Sequence, residues 1–386
     1  MRYDSARLTD FSATGVKERR AGFDTPFFLL VILLLSMGVV MVLSSSYARA
    51  YYDPGNITGG NASYYFVRQL LFALLGTGVM LLASRLPMGF YRRYSFHFLA
   101  FALLLLMLVP FVGVKVNGSR RWLGVGGLTL QPSELAKLGV ILSFSVMICK
   151  LRDRMKTFRY GILPFAAILC LIVGLLVLEP HFSASIIIIA VGGVMLFLGG
   201  VRLGWFIGAA AAAGGALAVL LAFFPYASSR INTWRDPFSS SSDEGYQIVQ
   251  SLYSIGSGGL SGLGLGGSRQ KFLYLPEEHN DFIFAVVCEE LGFIGAALIL
   301  VLFALLILRG YWIAIHCRDR YDFLVCAGIS TLLAIQVFLN VAVVTNLVPC
   351  TGISLPFFSY GGTALLIQLG EMGIILSASR TILTDK

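Results

Sequence analysis

Ten stretches of mostly apolar residues recur along this chain, each close to the ~20 residues an α-helix needs to cross a bilayer. They fall at 26–47, 65–85, 95–114, 133–150, 162–178, 182–200, 203–224, 282–308, 323–345 and 358–379, with ends placed to within about four residues. Glu179-Pro180-His181 alone cuts one long tract in two, and residues 199–204 separate the next pair. Lipid offers no water to backbone N–H and C=O groups, so each stretch must satisfy them internally as a helix. The composition agrees: 57% of residues are hydrophobic and 13% charged, whereas a soluble domain carries about a quarter charged. The expected fold is an all-α integral membrane protein of about ten transmembrane helices. One membrane domain spans 26–380, flanked by tails at 1–25 and 381–386. No small-residue cleavage site follows the basic N-terminal stretch, so the first span reads as a retained anchor.

Lys and Arg set the orientation. With the N-terminus cytoplasmic, 19 of the 29 basic residues fall in inner segments and 9 in outer ones, with Lys137 inside a span. Both termini are therefore expected in the cytoplasm. The formal charge of +9 is then mainly a topology signal and not a nucleic-acid footprint. Two outer segments stand out: a short loop at 115–132 and a large extracytoplasmic loop at about 225–281, between the seventh and eighth spans. Loops as long as the second are usually functional or disordered. Disorder suits the serine run 239–242, whereas Tyr246 to Ile255 has the pattern of a helix lying on the membrane surface. The six cysteines are scattered without a CxxC pair and read as small core residues.

The chemistry concentrates at the outer ends of the spans. Asp281 sits where a polar segment meets the eighth span, and an ionisable group there is costly unless it is paired, solvated or used. By residue type alone, capping of the helix that follows is an equal reading. His279, two residues earlier, either orients Asp281 or is an exposed loop residue. Glu289 lies eight residues past Asp281, about two turns along the same face, and is expected to line the same cavity. Arg269 and Lys271 add cations nearby. In the first outer loop Asn117-Gly118-Ser119-Arg120-Arg121-Trp122 leads to Gln131-Pro132-Ser133-Glu134-Leu135-Ala136-Lys137. Glu134 and Lys137 share a helix face and either neutralise each other or leave the lysine facing a polyanionic head group together with the arginines. The glycines at 256–267 have no βαβ context for a dinucleotide, so they serve tight turns, close approach to a ligand or a flexible link. Pro349 to Leu366 carries Pro and paired Gly at membrane depth, where broken helix is tolerated only against protein or a wet cavity.

These blocks resemble the SEDS family of bacterial multi-pass membrane proteins, which includes FtsW, RodA and SpoVE. The likeness covers nearly the whole chain and is most specific at 117–122, 131–137, 245–259, 270–292 and 355–362. Gln250-Ser251-Leu252 and the run 268–277 look more like the FtsW and SpoVE branch than the RodA branch. The resemblance implies a peptidoglycan glycosyltransferase of the bacterial cytoplasmic membrane. Such an enzyme polymerises lipid II on the outer face, with inversion and release of undecaprenyl pyrophosphate, for septal or spore cell-wall synthesis. The family's essential aspartate maps onto Asp281, the expected general base. Arg120, Arg121 and Lys137, with a divalent cation such as Mg or Mn a further candidate, would stabilise the departing pyrophosphate. Trp122, Glu134, Gln250, Arg269, Lys271, His279 and Glu289 complete the expected substrate-binding set. The resemblance also implies a class B penicillin-binding protein as transpeptidase partner, with other divisome or cortex-synthesis membrane proteins nearby. A lipid II flippase is the alternative of a different class. The chain departs from the family pattern at His181, where an aspartate usually follows Pro180, and at Asn280, where threonine is common.

Overall fold

A computed structural model describes residues 23–52, 57–116, 119–125, 128–209, 211, 231–239 and 243–382. Residues 1–22 and 383–386 of the tails, Asn117 and Gly118, most of the seventh span and the last residues of the serine run lie outside the described residues. Among the described residues, helices overlie the other nine expected spans. They are α1 Thr25–Tyr52, α2 Tyr64–Arg85, α3 Met88–Val112, α4 Pro132–Leu151, the pair α5 Phe158–Gly161 and α6 Leu163–Leu178, and α7 Phe182–Leu198. After α8 Asp243–Gly258, in the long loop before the eighth expected span, come α9 Ile283–His316, α10 Arg320–Val344 and α11 Gly362–Ser379. Seven helical segments are long and apolar enough to cross a membrane, and α7 is a shorter apolar one. This is a multi-pass membrane protein.

Helix α4 is the axis of the bundle. It packs against α3, α7 and α10, and 15 of its 20 residues are buried. It starts at Pro132, whose missing N–H costs nothing in a first turn. A helix shielded from lipid on all sides can carry Glu134, Lys137, Ser143 and Ser145 in its buried set. Around it, α11 packs on α2, and α1 packs on α2 and α9. At its start, α1 is tied to α9 by the Arg309 guanidinium, which donates to both Asp24 carboxylate oxygens at 3.2 and 2.8 Å.

The expectation of an all-α chain needs one local correction. The short loop between α3 and α4 is a three-stranded antiparallel sheet of β1 Val114–Val116, β2 Ser119–Val125 and β3 Leu128–Leu130. Val114 pairs with Trp122 and Gly124 with Thr129. The segment is rich in Val, Leu and Thr, which suit a pleated surface, and the ladder satisfies backbone groups close to the bilayer.

Helix α9 is interrupted at Gly292 (φ 65°, ψ −171°), and the glycine-rich run repairs the interruption. Leu263 and Gly264 donate their N–H groups to the carbonyls of Glu289 and Glu290, at 3.0 Å each. Phe293 and Ile294 donate to Gly259 and Leu260 at 2.9 and 3.1 Å. A Cβ at Gly292 would stand 2.3 Å from the Gly262 nitrogen. These glycines therefore allow close approach to a helix of the same chain, which was not among the sequence expectations for them.

A cavity where four helices begin

Four helices start at one place. The residues at or just before the first turns of α4 (Gln131, Glu134), α7 (His181, Ser183, Ala184), α9 (Asp281) and α11 (Gly361 to Leu365) all line a single cavity of about 300 Å³. That volume is within the range of small-ligand pockets. Unpaired N–H groups at helix starts, aligned with the helix dipoles, favour negative charge. The sheet adds Arg121, Trp122 and Thr129 to the wall, and α4 adds Lys137. Arg121 is oriented by donating from Nη2 to the Pro180 carbonyl at 2.6 Å. Lys137 Nζ meets Glu134 Oε2 at 2.6 Å, and the lysine is 2% exposed.

Asp281 is half-buried on this wall, between a polar turn and the start of α9. Its backbone carbonyl accepts from Asn340 Nδ2 at 2.8 Å, and the same nitrogen donates to the Ile353 carbonyl at 2.7 Å. Its Oδ2 lies so near Gly352 (φ 63°) that a Cβ there would stand 3.1 Å away. Burial pushes the Asp281 carboxyl up to about 6, with the Glu277 carboxylate adding to the rise and Arg121 and His279 opposing it. A carboxylate with that value is ionised at neutral pH and holds a proton more readily than a free one, which suits general-base work.

The turn before Asp281 is held from three sides. Arg49, on a part of α1 beyond the expected first span, forms a fork to Glu278 at 2.7 and 2.9 Å. Burial works against charge on Glu278, but the contacts from His279 and Arg49 outweigh it and hold this carboxyl below the usual range. The His279 ring packs on Tyr65 and Tyr360, at centroid distances of 4.7 and 5.8 Å. Its carbonyl accepts from the Tyr360 N–H at 2.9 Å, and Ser359 Oγ donates to the Asn280 carbonyl at 2.8 Å.

The expected site residues thus divide. Asp281, Arg121, Trp122, Glu134 and Lys137 come together on the cavity wall, and Arg120, Gln250, Arg269, Lys271, His279 and Glu289 do not line it. Arg120 is exposed and donates to the Pro110 carbonyl. Gln250 lies on α8, away from the cavity. His279 packs its ring on Tyr65 and Tyr360, off the cavity wall. Glu289 accepts from Ser254 Oγ, Ser268 Oγ and the Arg269 N–H at 2.8, 2.6 and 2.9 Å. Lys271 Nζ binds Glu290 Oε1 at 2.8 Å. Both acids therefore fasten the long loop that precedes α9 to that helix, because the break at Gly292 brings the loop against them and occupies their oxygens. The sequence assigned no role to Gln131, Glu277 or Gln336 on the wall, nor to Asn340, which does not line the cavity. Gly352 to Leu355, also on the wall, belong to the Pro349–Leu366 stretch, whose broken helix was a usable signal.

The fold and cavity define a class: a multi-pass helical membrane protein with an ionisable carboxylate, two cations and four helix starts around one chamber. The chain belongs to the family described as "Cell cycle protein", that of FtsW, RodA and SpoVE, which it matches over residues 24–382. It is 40% identical to "Stage V sporulation protein E" of Bacillus subtilis, over 92% of this chain and 97% of that one. It is 39% identical to "Probable peptidoglycan glycosyltransferase FtsW" of Trichlorobacter lovleyi, over 94% of each. These relatives place it on the FtsW and SpoVE branch. Among solved structures it is similar to a chain of a peptidoglycan synthase complex described as coordinating polymerization and crosslinking (TM-score 0.76, 28% identity, 93% of this chain and 98% of that one). It is also similar to the rod shape determining protein RodA of Thermus thermophilus (TM-score 0.67, 28% identity, 94% and 98%).

Proposed function

We propose that this chain is a peptidoglycan glycosyltransferase that polymerises lipid II, with Asp281 as its general base. One observation carries the assignment of roles: a carboxyl that burial pushes up to about 6 shares a cavity with Arg121, Lys137 and four helix starts. In the reaction the 4-hydroxyl of the acceptor's GlcNAc attacks the anomeric carbon of the donor's MurNAc. The new C–O bond forms on the face opposite the bond that breaks, so configuration inverts. The leaving electron pair goes with undecaprenyl pyrophosphate, and the hydroxyl proton goes to the Asp281 carboxylate. Arg121 and Lys137 stabilise the growing negative charge on the diphosphate. Trp122 offers an apolar face to a sugar ring.

Among the described residues, no group of three or more His, Cys, Asp or Glu is placed to hold a metal ion. Asp281 and Glu277 are two carboxylates on one wall, a donor set that suits Mg or Mn shared with substrate phosphates rather than a protein-only cage. Bound there, a divalent cation would add positive charge beside the diphosphate.

The excess of Lys and Arg in the inner segments supports cytoplasmic termini and a cavity on the outer face. A class B penicillin-binding protein is the proposed partner, consistent with the likeness to a synthase complex. On α9, the exposed Ile294, Leu298, Val301, Leu305 and Leu308 repeat at four- and three-residue steps, a spacing that fits a single packed helix.

The test is reconstitution with lipid II and candidate transpeptidases, comparing the native chain with Asp281→Asn. Glycan strands on a gel from the native chain, with a loss of about 100-fold or more in the variant, are expected. An Asp281→Asn chain that is folded, paired with its partner and still polymerises at the native rate ends the assignment. Scrambling of fluorescent lipid II without polymer would support the flippase.

A further inference from the structure

The short turn between α6 and α7 holds two buried groups that the reaction above does not use. Both oxygens of Glu179, 1% exposed, and Nδ1 of His181, 6% exposed, have no hydrogen-bond partner among the described residues. Burial pushes the Glu179 carboxyl up to about 8, with Arg121 opposing, so it is protonated at neutral pH. Burial, reinforced by Arg121 and Lys137, pushes the His181 imidazole down to about 3. Its ring is therefore neutral, with one nitrogen protonated and one not.

The surroundings select the tautomer. His181 Nε2 lies 3.4 Å from Gln131 Nε2, and an amide nitrogen only donates. With the Gln131 amide in this orientation Nε2 accepts, and Nδ1 carries the proton. That leaves a buried N–H donor with nothing to donate to, which costs about 1–3 kcal/mol unless a ligand or water accepts it. His181 caps α7, whose first turn lines the cavity with Ser183 and Ala184, and Arg121 and Lys137 share the wall. Three features thus point to an anionic acceptor: a neutral N–H donor, two cations and a helix start.

We propose that His181 is a ligand of the substrate's diphosphate, donating from Nδ1 to a phosphate oxygen in an anion subsite completed by Arg121, Lys137 and the first turn of α7. The inference rests on the glycosyltransferase reading and assigns a partner to the residue at which this chain departs from the family pattern. A neutral donor holds the diphosphate without adding a further cation to Arg121 and the Lys137–Glu134 pair.

Undecaprenyl diphosphate in mixed micelles is the probe, titrated into the purified full chain as wild type, His181→Phe and His181→Gln. The Phe variant is expected to weaken binding by about tenfold or more, because a hydrogen bond to a charged group is lost. The Gln variant, which retains an N–H donor, is expected to stay within about threefold of wild type. Wild type labelled with ¹⁵N-histidine supplies a second readout that needs no folded variant. The chain has only four histidines, and the Nδ1–H resonance of His181 should shift on addition of the diphosphate. Equal binding by wild type and a folded Phe variant, or an unmoved resonance at saturation, overturns the inference and leaves the glycosyltransferase reading standing. A wild-type chain that neither binds the diphosphate nor polymerises lipid II overturns that reading, and the inference with it.

Discussion

The Asn340 side-chain amide, 1% exposed on α10, donates to two backbone carbonyls, that of Asp281 at 2.8 Å and that of Ile353 at 2.7 Å. One nitrogen thus fixes the distance between the segment carrying the candidate base and the non-helical segment that faces it. Other side-chain hydrogen bonds at the cavity follow the same plan, as where Ser359 Oγ donates to the Asn280 carbonyl.

Replacing Asn340 by Leu keeps the volume and removes the donor, leaving two buried carbonyls unsatisfied. The expected result is a loss of about 1–3 kcal/mol of stability, read as a lower thermal midpoint in detergent. A fall in kcat of tenfold or more, with KM for lipid II little changed, should accompany it, since the base shifts while the binding groups stay in place. A variant with native kcat would show that the clamp has no part in positioning Asp281.

The pH profile follows from Asp281. Its carboxyl is raised to about 6, and the base must be ionised to accept a proton. The kcat/KM for polymerisation should be level above about pH 7 and fall about tenfold per unit below about pH 6. The Glu277 carboxylate contributes to the rise, so Glu277→Gln should move the inflection to lower pH and extend activity into acid. An inflection that stays put would remove Glu277 as an influence on the base.

Arg49 and Glu278 form a buried fork whose carboxylate is fully enclosed, while the arginine side chain is 27% exposed. Arg49→Met leaves a buried charge without its main partner, and about 3 kcal/mol of destabilisation is expected. The double variant Arg49→Met, Glu278→Leu should recover much of that loss in thermal midpoint. Activity should return only in part, because the turn through His279 would no longer be anchored to α1. Full recovery of activity would confine the pair to a packing role.

Charged residues next to apolar spans were the readable part of the site. Asp281, Arg121 and Lys137 stand out because charge near lipid must be used or paired, and the fold brings all three to one wall. The same logic misplaces Glu289 and Lys271. A sequence shows that a buried charge needs a partner, but not whether that partner is substrate or the chain itself. Asn340 carries no charge and its two acceptors are 59 and 13 residues away, so nothing local marks it. The three-stranded sheet is built from strands of three, seven and three residues, too short for alternation to separate them from a loop. The spans themselves were legible because lipid forces each to be a helix, whereas the break at Gly292 depends on a loop more than twenty residues upstream.

That break yields the sharpest stability prediction. Gly292 has φ 65°, a conformation that costs an L-residue about 1–3 kcal/mol, and a Cβ there would also stand 2.3 Å from the Gly262 nitrogen and 2.6 Å from the Leu260 carbonyl oxygen. Both neighbours are backbone, held by the hydrogen bonds from Leu263 and Gly264 to Glu289 and Glu290, so neither can rotate away. Gly292→Ala should therefore lower the thermal midpoint more than Gly193→Ala, a helical position where an added Cβ meets nothing within 4 Å. Because Glu289 and Glu290 hold the loop before α9 through Ser268 and Lys271, amide hydrogen exchange in residues 259–272 should rise in Gly292→Ala and stay native in Gly193→Ala. Equal midpoints for the two variants would mean that the loop and helix tolerate separation, and that the glycine pair is not what joins them.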